Sequence, residues 1–223
     1  MESFTDLGLD CADAQLVGRF WADALGQELE VDDEGDAKLV GPNLPTLWID
    51  VVPEPKVVKN RLHLDLYVPD VAALVDLGAT VLAEHEDWSV LGDPEGNEFC
   101  AFPGDSPTGA PAHAFALCVD SADPVPLAAW WHARLGGEIG PGSDGRPRWI
   151  HGARGLEQLI LKFVPVDDER VVKNRMHWDL DTDDVDALVA AGATVVREPD
   201  DEIHWTVMHD PQGNVFCAFA GGA

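Results

Sequence analysis

Positive charge is scarce in this chain: 14 lysines and arginines face 41 aspartates and glutamates, a net charge of −27 over 223 residues. A molecule of that sign is repelled by phosphate backbones and acidic lipid headgroups, which argues against nucleic acid and an anionic membrane surface as partners. Long apolar runs are missing too. No stretch approaches the roughly 20 residues of a transmembrane helix, and the N-terminus lacks the basic-then-apolar order of a secretory signal. The expected location is the cytoplasm. Cysteine is sparse: Cys11, Cys100, Cys118 and Cys217 sit in apolar, strand-like segments without CxxC spacing. Neither a disulfide framework nor a structural zinc site is signalled. Tyrosine occurs once, as Tyr67, against eight tryptophans.

What the chain does have is itself, twice. Val57-Val58-Lys59-Asn60-Arg61-Leu62-His63-Leu64-Asp65-Leu66 returns as Val171-Val172-Lys173-Asn174-Arg175-Met176-His177-Trp178-Asp179-Leu180, an offset of 114 residues. Asp93-Pro94-Glu95-Gly96-Asn97-Glu98-Phe99-Cys100-Ala101-Phe102 returns from Asp210 to Phe219 at an offset of 117. One long repeat with a nearly constant offset means two homologous domains, since solenoid repeats run about 20–50 residues. Residues 1–104 form the first, 105–111 a Pro- and Gly-rich linker, and 112–223 the second.

Within each half the pattern strand, helix, three strands occurs twice. Phe4 to Cys11 alternates as a half-buried strand; Asp13 caps a helix from Ala14 to Leu25 that Gly26 stops; short strands follow at 28–31, 37–40 and 46–52. The plan restarts with a strand from Arg61 to Val68, a helix capped by Asp70, and strands near 80–83, 88–92 and 98–102. In the second half, strands are expected at 115–119, 148–150, 157–164, 175–181, 205–208 and 215–219, with helices at 127–135 and 184–191.

The stretch from Val52-Pro53-Glu54-Pro55-Lys56 through Lys59-Asn60-Arg61-Leu62-His63-Leu64-Asp65, then Trp88, then Asp93 to Cys100, resembles the glyoxalase-like branch of the vicinal oxygen chelate superfamily. That superfamily also contains glyoxalase I, bleomycin-resistance proteins, fosfomycin-resistance transferases and extradiol dioxygenases. The resemblance covers essentially the whole chain, twice. It implies an α+β fold of two tandem domains, each of two βαβββ modules forming a cup-shaped sheet with helices outside. It also implies an internal pseudo-dimer, so that a monomer already holds the interface that single-domain relatives obtain by dimerising. Chemistry does not follow from the scaffold, which hosts several reactions and several pure binders.

Site candidates come from the residues. Period-2 alternation puts Leu62, Leu64, Leu66 and Val68 on one face of their strand and His63, Asp65 and Tyr67 on the other, lining the cup; His177 and Asp179 repeat the arrangement. A histidine beside a carboxylate has a fixed tautomer and suits a general base, a metal ligand or a hydrogen-bond network. The metal-dependent families resembled here take a His or Gln from the first strand, the His at the start of the second module, and a Glu from the last strand. Cys100 and Cys217 stand at the Glu position, and the first-strand position falls on Asp6 in one copy and Ala116 in the other. The carboxylate is missing, so the reading is no cofactor; were a divalent metal held, zinc on Asp6, His63 and Cys100 would be the set. Trp21, Trp130 and Trp131 are expected in helix packing. Trp48, Trp88, Trp178 and Trp205 lie on strands, with Trp88 and Trp205 matched between copies and suited to ligand stacking. Two functions stay open. One is a binder of a flat or cationic small molecule in aromatic, acidic cups, in the manner of bleomycin-resistance proteins. The other is a small-molecule lyase, isomerase or dioxygenase-like enzyme using His63 and Asp65 or a metal.

Overall fold

The computed structural model describes residues 2–33, 35–42, 44–167 and 172–221. Four modules follow one another. Module 1 is β1 (Ser3–Cys11), α1 (Ala14–Leu25), β2 (Glu28–Val31), β3 (Ala37–Val40) and β4 (Leu47–Val51). Module 2 is β5 (Leu62–Val68), α2 (Val71–Asp76), β6 (Thr80–Glu84), β7 (Ser89–Gly92) and β8 (Glu98–Pro103). Module 3 is β9 (His113–Ser121), α3 (Pro124–Leu135), β10 (Glu138–Pro141), β11 (Pro147–His151) and β12 (Ile160–Pro165). Module 4 is β13 (Met176–Thr182), α4 (Val185–Ala190), β14 (Thr194–Arg197), β15 (Thr206–His209) and β16 (Val215–Ala220).

The caps read from the sequence, Asp13 and Asp70, are in place, each accepting a backbone N–H of the first helical turn, and Gly26 ends α1 in the left-handed conformation at φ 64°. Asp184, expected as the first residue of its helix, is a third such cap. Helix α3 begins three residues earlier than expected, at Pro124, whose fixed φ suits the first turn. Strands β10 and β14 complete modules 3 and 4 where the sequence reading placed none. The first has a single large apolar residue, Ile139, and the second is exposed throughout, so neither carries an alternating signal. No helix among the described residues is long and apolar enough to cross a membrane.

The modules assemble into two eight-stranded sheets, and each sheet draws one module from each half. Sheet A runs β14-β15-β16-β13-β1-β4-β3-β2 and joins modules 4 and 1; sheet B runs β10-β11-β12-β9-β5-β8-β7-β6 and joins modules 3 and 2. The seams are antiparallel pairs, β1 with β13 and β5 with β9. The repeat reveals the modules but not this exchange, because all four present similar first strands to a partner.

The helices lie on the backs of the sheets, outside the cups, and α1 and α3 are enclosed between the sheets. Helix α1 packs on β2, β3 and β4 of sheet A, while its Trp21 meets Phe99 of sheet B edge-on with ring centres 5.2 Å apart. Helix α3 packs on sheet B, and its Trp131 reaches Trp178 and Phe216 of sheet A at 5.0 and 5.2 Å. Burial on two sides explains why α1 has eight buried residues instead of one apolar stripe.

The Asp-Pro-x-Gly-Asn turns tie each helix to the next module. Asp93 accepts from the backbone N–H groups of Glu95 and Asn97 and from the Asn97 amide, all at 2.9 Å, and from the Trp21 indole at 3.2 Å. Asp210 repeats this with Gln212, Asn214 and Trp131. Gly96 and Gly213 both sit at φ 81°, which the turn requires. The basic triplets pair with carboxylates at the seams: Lys59 with Asp120, Lys173 with Asp10, and Arg175 with Glu95.

Removing the Asp93 acceptor strands four donors, three of them buried. Asp93→Ala is expected to lower stability by roughly 3 kcal/mol or more, and Trp21→Phe at this bond by only about 1 kcal/mol beyond its packing change, measured by urea unfolding. Equal, small losses would show that the turn holds without its aspartate.

Candidate functional site

The inner faces of the two sheets carry equivalent rows of side chains, fixed by strand register. In sheet A the row runs Cys217 beside Asp179, His177 opposite Gly8, Gly8 beside Trp48, and Trp48 opposite Lys38. In sheet B it runs Cys100 beside Asp65, His63 opposite Cys118, Cys118 beside Lys162, and Lys162 opposite Trp149. The cross-strand lysine–tryptophan pair is therefore transposed between the cups. In cup B the lysine is on the inner strand; in cup A the tryptophan is.

Lys162 takes the middle of cup B. Its Nζ donates to Asp65 Oδ2 at 2.9 Å and lies 4.4, 4.9 and 5.7 Å from the ring centres of Phe115, Trp149 and Phe102. The Cys118 thiol donates to the same oxygen at 3.0 Å, and His63 Nε2 stands 3.6 Å from Oδ1. Asp65, His63, Cys118 and Lys162 are all buried. Tyr67 stacks on Phe115 at 4.0 Å, and Trp88 stacks on His85 and Phe102.

Cup A is built on the same rows but encloses a cavity of about 330 Å³. Its walls include Asp6, Asp50, Asp179, His177 and Cys217, with the flat faces of Trp48, Trp205 and Phe219, and no lysine or arginine among the described residues lines it. His177 Nε2 stands 3.9 Å from Asp179 Oδ1, and that oxygen and His177 Nδ1 are buried without a hydrogen-bond partner among the described residues. The imidazole lies against the backbone of Gly8, where a methyl group would overlap the ring. Two residues before Gly8 stands Asp6, and two after Trp48 stands Asp50; the counterparts in cup B are Ala116 and Val164.

These differences drive the two histidine–aspartate pairs in opposite directions. Burial pushes the Asp179 carboxyl up to about 7, helped by the charge of Asp6, and pushes His177 down to about 4. Burial also raises Asp50 to about 6, with Asp36 and Asp10 adding to it, and raises Asp6. In cup B burial works against both charged groups but is outweighed. Asp65 is held below its ordinary value by the His63 hydrogen bond and Lys162, and His63 is raised well above its own by Cys118, Asp65 and Cys100. Burial pushes the Cys118 thiol up to about 12 and raises Cys217 as well, which favours the protonated thiol in both while no metal is bound.

The expected residues divide between the cups. His63, Asp65, Tyr67, Trp88 and Cys100 belong to cup B; His177, Asp179 and Trp205 belong to cup A. The metal set of Asp6, His63 and Cys100 requires correction, because Asp6 rides on β1 in sheet A while the other two are in sheet B. The groups that do converge are His63, Asp65 and Cys100 in one cup and His177, Asp179 and Cys217 in the other, each with donor atoms within 4.8 Å. Sequence reasoning missed Asp50, Gly8, Cys118 and Lys162. Alternation in Leu47-Trp48-Ile49-Asp50 puts Asp50 on the polar face with Trp48, but nothing local says which sheet that face serves.

A family model described as Glyoxalase-like domain matches residues 6–102 and 116–219. Comparison with curated proteins finds no match. Among solved structures, glyoxalase I from Zea mays superposes with a TM-score of 0.64 at 15% identity, covering 99% of this chain and 92% of that one. A putative dioxygenase from Bacillus subtilis gives a TM-score of 0.58 at 13% identity, covering 99% and 86%. At these identities the likeness is one of fold.

A carboxyl held above its ordinary value keeps a proton in the folded protein that the unfolded chain has released. Asp179 therefore costs the ligand-free protein stability as pH rises from about 4 to about 7. In metal-free buffer Asp179→Asn is expected to gain roughly 1–3 kcal/mol relative to the parent between about pH 5 and pH 8, read from urea unfolding across that range. Parallel pH profiles for the two proteins would contradict the shift.

Proposed function

Since the chain belongs to the glyoxalase-like domain family, we propose that it is a small-molecule binding protein that works through one of its two cups, cup A. The observation that carries this reading is the asymmetry between cups: the centre of cup B is taken by Lys162 on Asp65, whereas cup A keeps a cavity of about 330 Å³. That volume suits a small ligand, and the mixture of flat aromatic walls with a few convergent polar groups is what such sites use for grip and orientation. Trp48, Trp205 and Phe219 offer stacking surface, and three carboxylates favour an aromatic or cationic ligand.

A second reading, a lyase, isomerase or dioxygenase-like enzyme, is favoured by one observation: His177, Asp179 and Cys217 converge within 4.8 Å. Imidazole nitrogen, carboxylate oxygen and thiolate sulfur together form a donor set that zinc accepts, and the buried, unpartnered His177 Nδ1 and Asp179 Oδ1 are consistent with it. A zinc ion there would supply Lewis acidity toward a carbonyl or a bound water. Cup B fits a metal poorly, because the Lys162 ammonium already neutralises Asp65.

Calorimetric titration of chelator-treated protein with indole-based probes tests the first reading. One site per chain is expected, weakened about tenfold by Trp48→Ala or Trp205→Ala and unchanged by Trp88→Ala in cup B. Retention of one zinc per chain, lost in Cys217→Ala, would favour the enzyme instead. Equal sensitivity to Trp88 and Trp205 would remove the preference for cup A.

A further inference from the structure

Cup B shows what its twin is shaped to take. We propose that cup A binds the ammonium group of a primary amine carried on a flat or apolar body, seated on Asp179 as the Lys162 ammonium is seated on Asp65. The proposal rests on the reading of cup A as the ligand site and adds the class of ligand.

In cup B the protein supplies its own alkylammonium. Lys162 Nζ is ion-paired with Asp65 at 2.9 Å and enclosed by Phe115, Trp149 and Phe102, an arrangement that combines a desolvated ion pair with cation–π contacts. Asp179 is the register equivalent of Asp65, each lying beside its cysteine, Cys217 or Cys100. The lysine that would reach Asp179 has moved one strand outward. Lys38 stands opposite Trp48, pairs with Glu30 at 3.0 Å and lies over the Trp48 ring, so its charge is spent at the edge of the sheet.

The transposition leaves a carboxylate oxygen of Asp179 buried without a partner among the described residues, a cavity where the lysine stem would run, and an aromatic wall made of Trp48, Trp205 and Phe219. Phe219 and Trp205 stand where Phe102 and Trp88 stand in cup B. Thr5, three residues before Gly8, replaces Phe115, three before Cys118, and this smaller residue widens the space. Asp6 and Asp50 add negative charge where cup B has Ala116 and Val164. Among the described residues cup A thus has more carboxylates than its twin and no internal cation to match them, which selects for a ligand that brings the cation with it.

The test is calorimetry on the full-length, chelator-treated protein with three probes that share one ring: tryptamine, indole-3-ethanol and indole-3-acetate. Tryptamine is expected to bind at one site per chain at least tenfold more tightly than the alcohol, with the acid not binding. Asp179→Asn should reduce tryptamine to the level of the alcohol. The double variant Trp48→Lys with Lys38→Trp, which copies cup B, should abolish binding, and n-butylamine, the lysine side chain in free form, should raise the Tm of Lys162→Ala more than that of the parent. An alcohol that binds as tightly as the amine, indifferent to Asp179→Asn, would overturn the ammonium assignment while leaving cup A as a binding site. Failure of all three probes to bind the parent would overturn the cup A reading itself, and the assignment with it.

Discussion

Two antiparallel seams, β1 with β13 and β5 with β9, are what the rest of the molecule depends on. Each unites a module of the first half with one of the second, so neither half can complete a sheet alone. The helices work in the orthogonal direction: α1 and α3 sit between the sheets, and the Trp21–Asp93 and Trp131–Asp210 bonds tie consecutive modules of one half together. Sheet pairing across halves and helix packing within halves close the four modules into one core. The cups inherit their composition from that exchange, since every inner face mixes residues distant in sequence.

Duplication then allowed the two cups to diverge under one scaffold. Both retain a histidine, an aspartate and a cysteine in register, yet their electrostatics are opposite. In cup B one buried lysine compensates Asp65 and holds it ionised; such a pair contributes little net stability but would be costly to break. In cup A the same aspartate meets two further carboxylates and, among the described residues, no cation, and burial drives it toward its neutral form. The exchange of a lysine and a tryptophan between neighbouring strands separates a cup whose aspartate is paired with a lysine from one whose lysine is paired at the sheet edge instead.

The duplication, the βαβββ modules, the capping aspartates and the inward-facing His63, Asp65, His177 and Asp179 were legible in the sequence, because they rest on repeats, short-range capping and period-2 alternation. The grouping of residues into cups was not. Asp6 looks like a companion of His63 when the chain is divided into halves, and only the β1–β13 pairing delivers it to His177 and Asp179. Lys162 gave no signal either, since a lone lysine in an apolar strand reads as an edge residue until its neighbours across the sheet are known. Asp50 and Gly8 depend on the same long-range register, Gly8 through the imidazole that lies on its backbone.

Two homologous aspartates are shifted in opposite directions, because Asp65 has an internal ammonium partner and Asp179 has none among the described residues. The most direct measurement is the titration of the side-chain carboxyl carbons by NMR, with Asp65 and Asp179 assigned through Asp→Asn variants in metal-free buffer. The account predicts that Asp65 stays ionised down to its ordinary range and below, while Asp179 titrates at about 7. Two aspartates titrating together, or Asp65 at the higher pH, would contradict it.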